Sequence, residues 1–91
     1  MREQEVVEAV KDFAKTKKYT IKRVFANEVA PGRYWVFLVS SSFNGKKREE
    51  LQDEIWKYLE PKYGMSALKS ISLVMTMTPE EAKISLSDVA A

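Results

Sequence analysis

Two short apolar runs, Trp35-Val36-Phe37-Leu38-Val39 and Ile71-Ser72-Leu73-Val74-Met75-Thr76-Met77, stand on either side of a charged stretch at residues 46–60. The runs have the length and residue types of strands. The stretch between them carries Leu51, Ile55 and Tyr58 or Leu59 at three- and four-residue spacing, the stripe of an amphipathic helix. A strand, a helix and a strand in that order need one long crossover, and this limits the folds open to the chain.

The remaining elements fill in around that unit. Residues 2 to about 17 read as a helix through Val6, Val10, Phe13 and Ala14, with Glu3, Glu5 and Glu8 early and Lys11, Lys15, Lys17 and Lys18 late, as the helix dipole prefers. Residues 19 to 29 read as a strand, Ala30-Pro31-Gly32-Arg33 as a turn, and residues 34 to about 41 as a second strand. The short connection makes the two an antiparallel hairpin, and Pro-Gly points to a longer loop or a bulge. In the last strand Ile71, Leu73, Met75 and Met77 alternate with Ser70, Ser72, Thr76 and Thr78, which predicts one buried and one polar face. Thr78-Pro79-Glu80-Glu81 has the form of a capping box opening a short final helix. Pro61 and Gly64 are expected to lie beyond the second helix, and residues 85–91 lack periodicity and read as a fraying tail.

The fold class is therefore α+β: a single domain over residues 1–84, order α-β-β-α-β-α, with a three-stranded mixed sheet and both long helices on one face. At 91 residues and 45% hydrophobic composition the chain fills one core. The other sheet face is open, so either Tyr34, Val36 and Leu38 or Trp35, Phe37 and Val39 turn toward it.

There is no histidine and no cysteine. Disulfides are excluded, the ligands of a structural zinc or an iron–sulfur site are missing, and no cofactor or intrinsic metal is expected. No continuous apolar segment suggests a leader or a membrane span, which makes a cytoplasmic protein the expectation. A net charge of +2 does not by itself require a polyanionic partner.

Phe43-x-Gly45-Lys46 directly after Val39-Ser40, followed by a helix, a strand and Thr78-Pro79-Glu80-Glu81, resembles the BolA family. The resemblance implies a fold akin to the type II KH arrangement. It also implies a small non-enzymatic regulator, with DNA binding and the sharing of a [2Fe–2S] cluster with monothiol glutaredoxins. The family's histidine in the long helix falls, without gaps, at Gln52, and an amide does not replace imidazole as a cluster ligand. A second family histidine, before the last strand, has no counterpart in Gly64-Met65-Ser66-Ala67-Leu68.

One local rule is broken. Lys46, Lys47 and Arg48 stand where a helix N-terminus favours negative charge. On one reading Asn44 and Gly45 open the helix, and the three cations converge with their N–H groups on a phosphate or an acidic side chain, extended by Arg33, Lys22 and Arg23 together with Lys17 and Lys18. On the other, Lys46 and Lys47 are solvated loop residues and the helix starts nearer Glu49. Tyr34, Trp35, Phe37 and Phe43 are candidates for base stacking as well as for the core. Ser66-x-x-Lys69 and the acidic pairs Glu49/Asp53 and Glu50/Glu54 have no supporting motif, so an enzyme is not expected. Two function classes remain: a DNA- or RNA-binding regulatory module using the basic helix start, and a protein-interaction adaptor or homodimer using the open sheet face.

Overall fold

The middle strand, β2 (Arg33–Val39), is hydrogen-bonded along both edges, antiparallel to β1 (Arg23–Ala30) and parallel to β3 (Ile71–Met77). The structure is a computed structural model and describes the backbone of residues 1–90 and the side chains of residues 1–84. Helix α1 (Glu3–Thr16) precedes the hairpin. A 3-10 turn at Ser41–Phe43, α2 (Arg48–Tyr63) and α3 (Met65–Ser70) link β2 to β3, and α4 (Pro79–Ala90) closes the order. This is the α+β, three-stranded mixed sheet that the sequence predicts, with one helix more.

Both long helices pack on one face because every second residue of the sheet supplies an apolar inner surface. Ala26, Tyr34, Val36, Leu38, Ile71 and Val74 are buried in one cluster with Val6, Val10 and Phe13 of α1 and Leu51, Ile55 and Leu59 of α2. Burying each Leu, Ile, Val or Phe contributes about 1.5–3 kcal/mol. The opposite face carries Phe25, Trp35, Phe37, Leu73 and Met75, none of them fully buried.

In β3 the expected alternation is overturned. Tyr34 pairs with Ile71 but Trp35 pairs with Leu73, a register shift that passes over Ser72. Parity changes there, so Ile71 and Val74 turn inward while Leu73 and Met75 join Trp35 and Phe37 on the outer face. Thr76, expected on the polar face, is opposite Leu38 and buried, and its Oγ1 has no hydrogen-bond partner. The hairpin combines a two-residue Pro31-Gly32 loop with a bulge, since Glu28 pairs with Tyr34 and Ala30 with Arg33. Gly32 has φ +71, as the third position of a type II turn demands.

Three boundaries also differ. β1 begins at Arg23 rather than at residue 19, because residues 19–22 are tied to the loop after β2. Pro61 lies inside α2, in its final turn, where its missing N–H and ring disturb a single hydrogen bond of a helix that ends at Tyr63. Gly64 then breaks the helix at φ 57 and ψ −136, a region only glycine enters freely, and redirects the chain into α3, which the sequence reading did not contain. The backbone of α4 is helical through Ala90, within the stretch read from sequence as a tail, and Ala91 lies outside the described residues.

Leu38→Ala should lower stability by about 2–5 kcal/mol in urea unfolding. Trp35→Ala, on the outer face, should lower it much less; equal losses would contradict this assignment of faces.

Candidate functional site

At one end of the sheet β1 starts and both β2 and β3 finish. Arg23 pairs with Val39, which pairs with Met77. Beyond that row the Lys22 N–H donates to the Val39 carbonyl at 2.9 Å and the Ser40 N–H donates to the Met77 carbonyl at 2.9 Å. The chain leaving β2 therefore has a fixed direction, and two segments, residues 19–22 and 40–47, are held against each other.

Small hydroxyls make that joint. Ser40 Oγ caps the 3-10 turn by accepting from the Ser42 N–H at 3.0 Å. Ser42 Oγ accepts from the Thr20 N–H at 3.0 Å, and Thr20 Oγ1 lies 3.2, 3.0 and 3.2 Å from the hydroxyls of Ser40, Ser41 and Ser42. Tyr19 extends the joint into the core. Its ring meets Phe13 and Phe43 edge to face at 6.0 and 5.4 Å, and its hydroxyl donates to Glu54 of α2 at 2.6 Å. Burial first, and then the Glu54 bond, raise the Tyr19 pKa. Its proton therefore stays in place at neutral pH.

The predicted residues divide among three positions. Lys46 Nζ lies 5.3 Å from the centre of the Tyr19 ring, on the helix side. Lys22 and Arg23 stand at the same end, with the Arg23 guanidinium turned to the outer face, 4.4 Å above the ring of Phe25. Arg33 is at the far end, six residues along β2 or about 20 Å away at some 3.3 Å per residue, where its Nε donates to Ser72 Oγ at 3.0 Å.

Asn44 and Gly45 do not open the long helix. The Asn44 N–H is used within the 3-10 turn, bonded to the Ser41 carbonyl, and Gly45, at φ +79, reverses the chain. Lys47 is the N-cap of α2, Arg48 its first residue, and Glu49 and Glu50 meet the dipole from its first turn. This resolves the apparent violation: two of the three cations precede the helix. Arg48 is paired with Glu81 at 2.7 Å. Lys47 is exposed and, among the described residues, forms no salt bridge.

Glu81 ties this end to α4. The Thr78 N–H donates to its carboxylate at 2.9 Å and its own N–H donates to Thr78 Oγ1 at 3.2 Å, the capping box expected from sequence. The backbone bond from Thr78, more than the Arg48 charge, holds the Glu81 carboxyl below the ordinary glutamate value.

Sequence reasoning missed the joint itself. Tyr19 and Thr20 read there as strand residues, and only the Ser40-Ser41-Ser42 run hinted at a hydroxyl cluster. It also missed strain at Lys18, which follows α1 at φ 61, a position that usually belongs to glycine. Gln52, which the family resemblance aligns with a cluster-ligating histidine, donates its side-chain N–H to the Val74 carbonyl at 2.6 Å and so pins α2 to β3. Its amide does not fit a [2Fe–2S] cluster. Among the described residues no three His, Cys, Asp or Glu side chains are grouped to hold a metal.

The fold is BolA-like. The structure matches BolA1 from Arabidopsis thaliana with a TM-score of 0.61 at 16% identity, over 84% of this chain and 94% of that one. It matches a bol-like protein from Babesia bovis with a TM-score of 0.50 at 13% identity, over 86% and 90%. No family model and no curated protein sequence matches the chain. Among the described residues no helix is long and apolar enough to cross a membrane.

Two measurements test the joint. Lys18→Gly should raise stability by roughly 0.5–1 kcal/mol, because it relieves a left-handed lysine; a loss would show that the Lys18 side chain contributes packing instead. For Glu81 the folded pKa is lowered, so its contribution is present above the ordinary value of 4.5 and is lost as the pH falls through the lowered value. The stability gap between wild type and Glu81→Gln should close over that window, and a pH-independent gap would contradict the capping role.

Proposed function

We propose that this protein is a small non-catalytic regulatory module that binds nucleic acid through the basic rim at the joined end of its sheet. The observation that carries the reading is the junction of residues 19–22 with residues 40–47, which gathers Lys22, Arg23, Lys46 and Lys47 around one end of the molecule. Lys17 and Lys18 enter the same junction from the end of α1.

Of the nearby carboxylates, Glu81 is matched by Arg48, whereas Glu54, which accepts from the neutral Tyr19 hydroxyl, and Glu49 and Glu50 in the first turn of α2 keep their charge and offset part of the rim from the helix side. A phosphate backbone is the ligand that makes use of several separate exposed cations, since each one displaces condensed counterions. The DNA binding implied by the sequence resemblance belongs to the same ligand class. Catalysis has no support of its own: Ser66 and Lys69 are exposed on the short α3, and no second motif accompanies them.

The test is salt-dependent binding of a short labelled oligonucleotide. Affinity should fall steeply with salt, and Lys22→Glu, Lys46→Glu and Lys47→Glu together should abolish binding at moderate salt. Single Lys→Ala changes should each reduce the salt slope by about one unit. Unchanged binding in the triple variant would contradict the proposed rim. A protein adaptor or homodimer is the second reading, favoured by the exposure of Trp35 on the apolar outer face.

A further inference from the structure

The outer sheet face differs from the buried one in more than exposure. Its accessible side chains are Arg23, Phe25 and Asn27 from β1, Arg33, Trp35 and Phe37 from β2, and Leu73 and Met75 from β3, while Val39 and Met77, at the end where β2 and β3 finish, are buried. None is acidic. The Phe25 and Phe37 rings are stacked across the strands, 4.8 Å apart with planes 11° from parallel. Trp35, two residues along β2 from Phe37, is 42% exposed, although a residue of that size on a strand is usually buried.

Arg23 joins this face to the basic rim. Its backbone pairs with Val39 beside Lys22, and its guanidinium lies 4.4 Å over the Phe25 ring. The second arginine of the face, Arg33, stands at the other end, held by Ser72. A row of aromatic rings with a cation at each end and no carboxylate complements a chain of flat rings carried on a polyanion.

We infer that the ligand is single-stranded nucleic acid, whose bases stack on Trp35 and Phe37 while its phosphates run from Arg33 past Arg23 to the lysines of the rim. The inference rests on the function proposed above and narrows it. A duplex keeps its bases stacked on each other and offers this face its backbone and groove edges but no ring faces along its length, whereas every unpaired base has a ring face free for an aromatic side chain. Stacking on Trp35 and Phe37 is tolerant of sequence, because every base has a ring face.

The experiment compares a labelled 12-nucleotide mixed-sequence single strand with the same sequence as duplex, at low salt, for wild type, Trp35→Ala and Trp35→Phe, each checked for unchanged folding by circular dichroism. Wild type should bind the single strand at least tenfold more tightly than the duplex. Trp35→Ala should lose about tenfold or more in single-strand affinity with little change for duplex, and Trp35→Phe should recover most of the loss. Equal binding of the two forms, with no effect of Trp35→Ala, would overturn the inference and leave the basic-rim reading standing. No binding of either form would overturn both. Concentration-dependent dimerisation that is lost in Trp35→Ala, with no single-strand preference, would overturn it in favour of a second copy of the chain on this face.

Discussion

Everything at the candidate site depends on the position of β2 between two partners. A strand paired on both edges has no freedom to twist or slide independently, so the chain leaves it at Val39 in one direction, between Arg23 and Met77. Ser40 continues the β3 ladder by one bond and Lys22 continues the β1 ladder by one. The hydroxyl joint between Thr20 and residues 40–42 then needs only short side chains, because the backbones are already held close. The placement of lysines 22, 46 and 47 follows from backbone pairing more than from any attraction among them, since like charges repel.

The same pairing determines what is exposed. Tyr34, Val36 and Leu38 fill the space under α1 and α2, and this leaves Trp35, which is exposed, and Phe37, which is partly buried, on the other side. Placing aromatic rings there is costly unless something covers them part of the time. The parity change at Ser72 adds Leu73 and Met75 to that face, so its apolar character extends across all three strands.

Much of the architecture could be read from sequence because its signals are local. Helical spacing located α1 and α2, and the breakers at Pro31-Gly32 located the hairpin. Thr78-Pro79-Glu80-Glu81 gave a cap whose two bonds are both formed. The failures involve competition between a local rule and a tertiary one. Pro61 reads as a terminator but is tolerated in a last turn, and the alternation in β3 reads as continuous until pairing with β2 skips Ser72. The site was legible in its charges but not in its geometry. Lys46 and Lys47 are identifiable as a run, but nothing local says that α2 waits until Arg48, that Arg48 is paired with Glu81, or that Arg33 lies at the distant end of the sheet. The role of Tyr19 depends on contacts with Phe13, Phe43 and Glu54, which are separated from it by up to 35 residues.

The most direct test of the central claim, that the basic rim and the outer aromatic face form one continuous binding surface, is a backbone and indole chemical-shift titration with a short single strand. The expected result is a single set of shifts saturating together at Lys22, Arg23, Lys46, Lys47 and the Trp35 indole, with the Trp56 indole on α2 unaffected. Shifts confined to the exposed surfaces of α1 and α3, or shifts at the rim with none at Trp35, would contradict it.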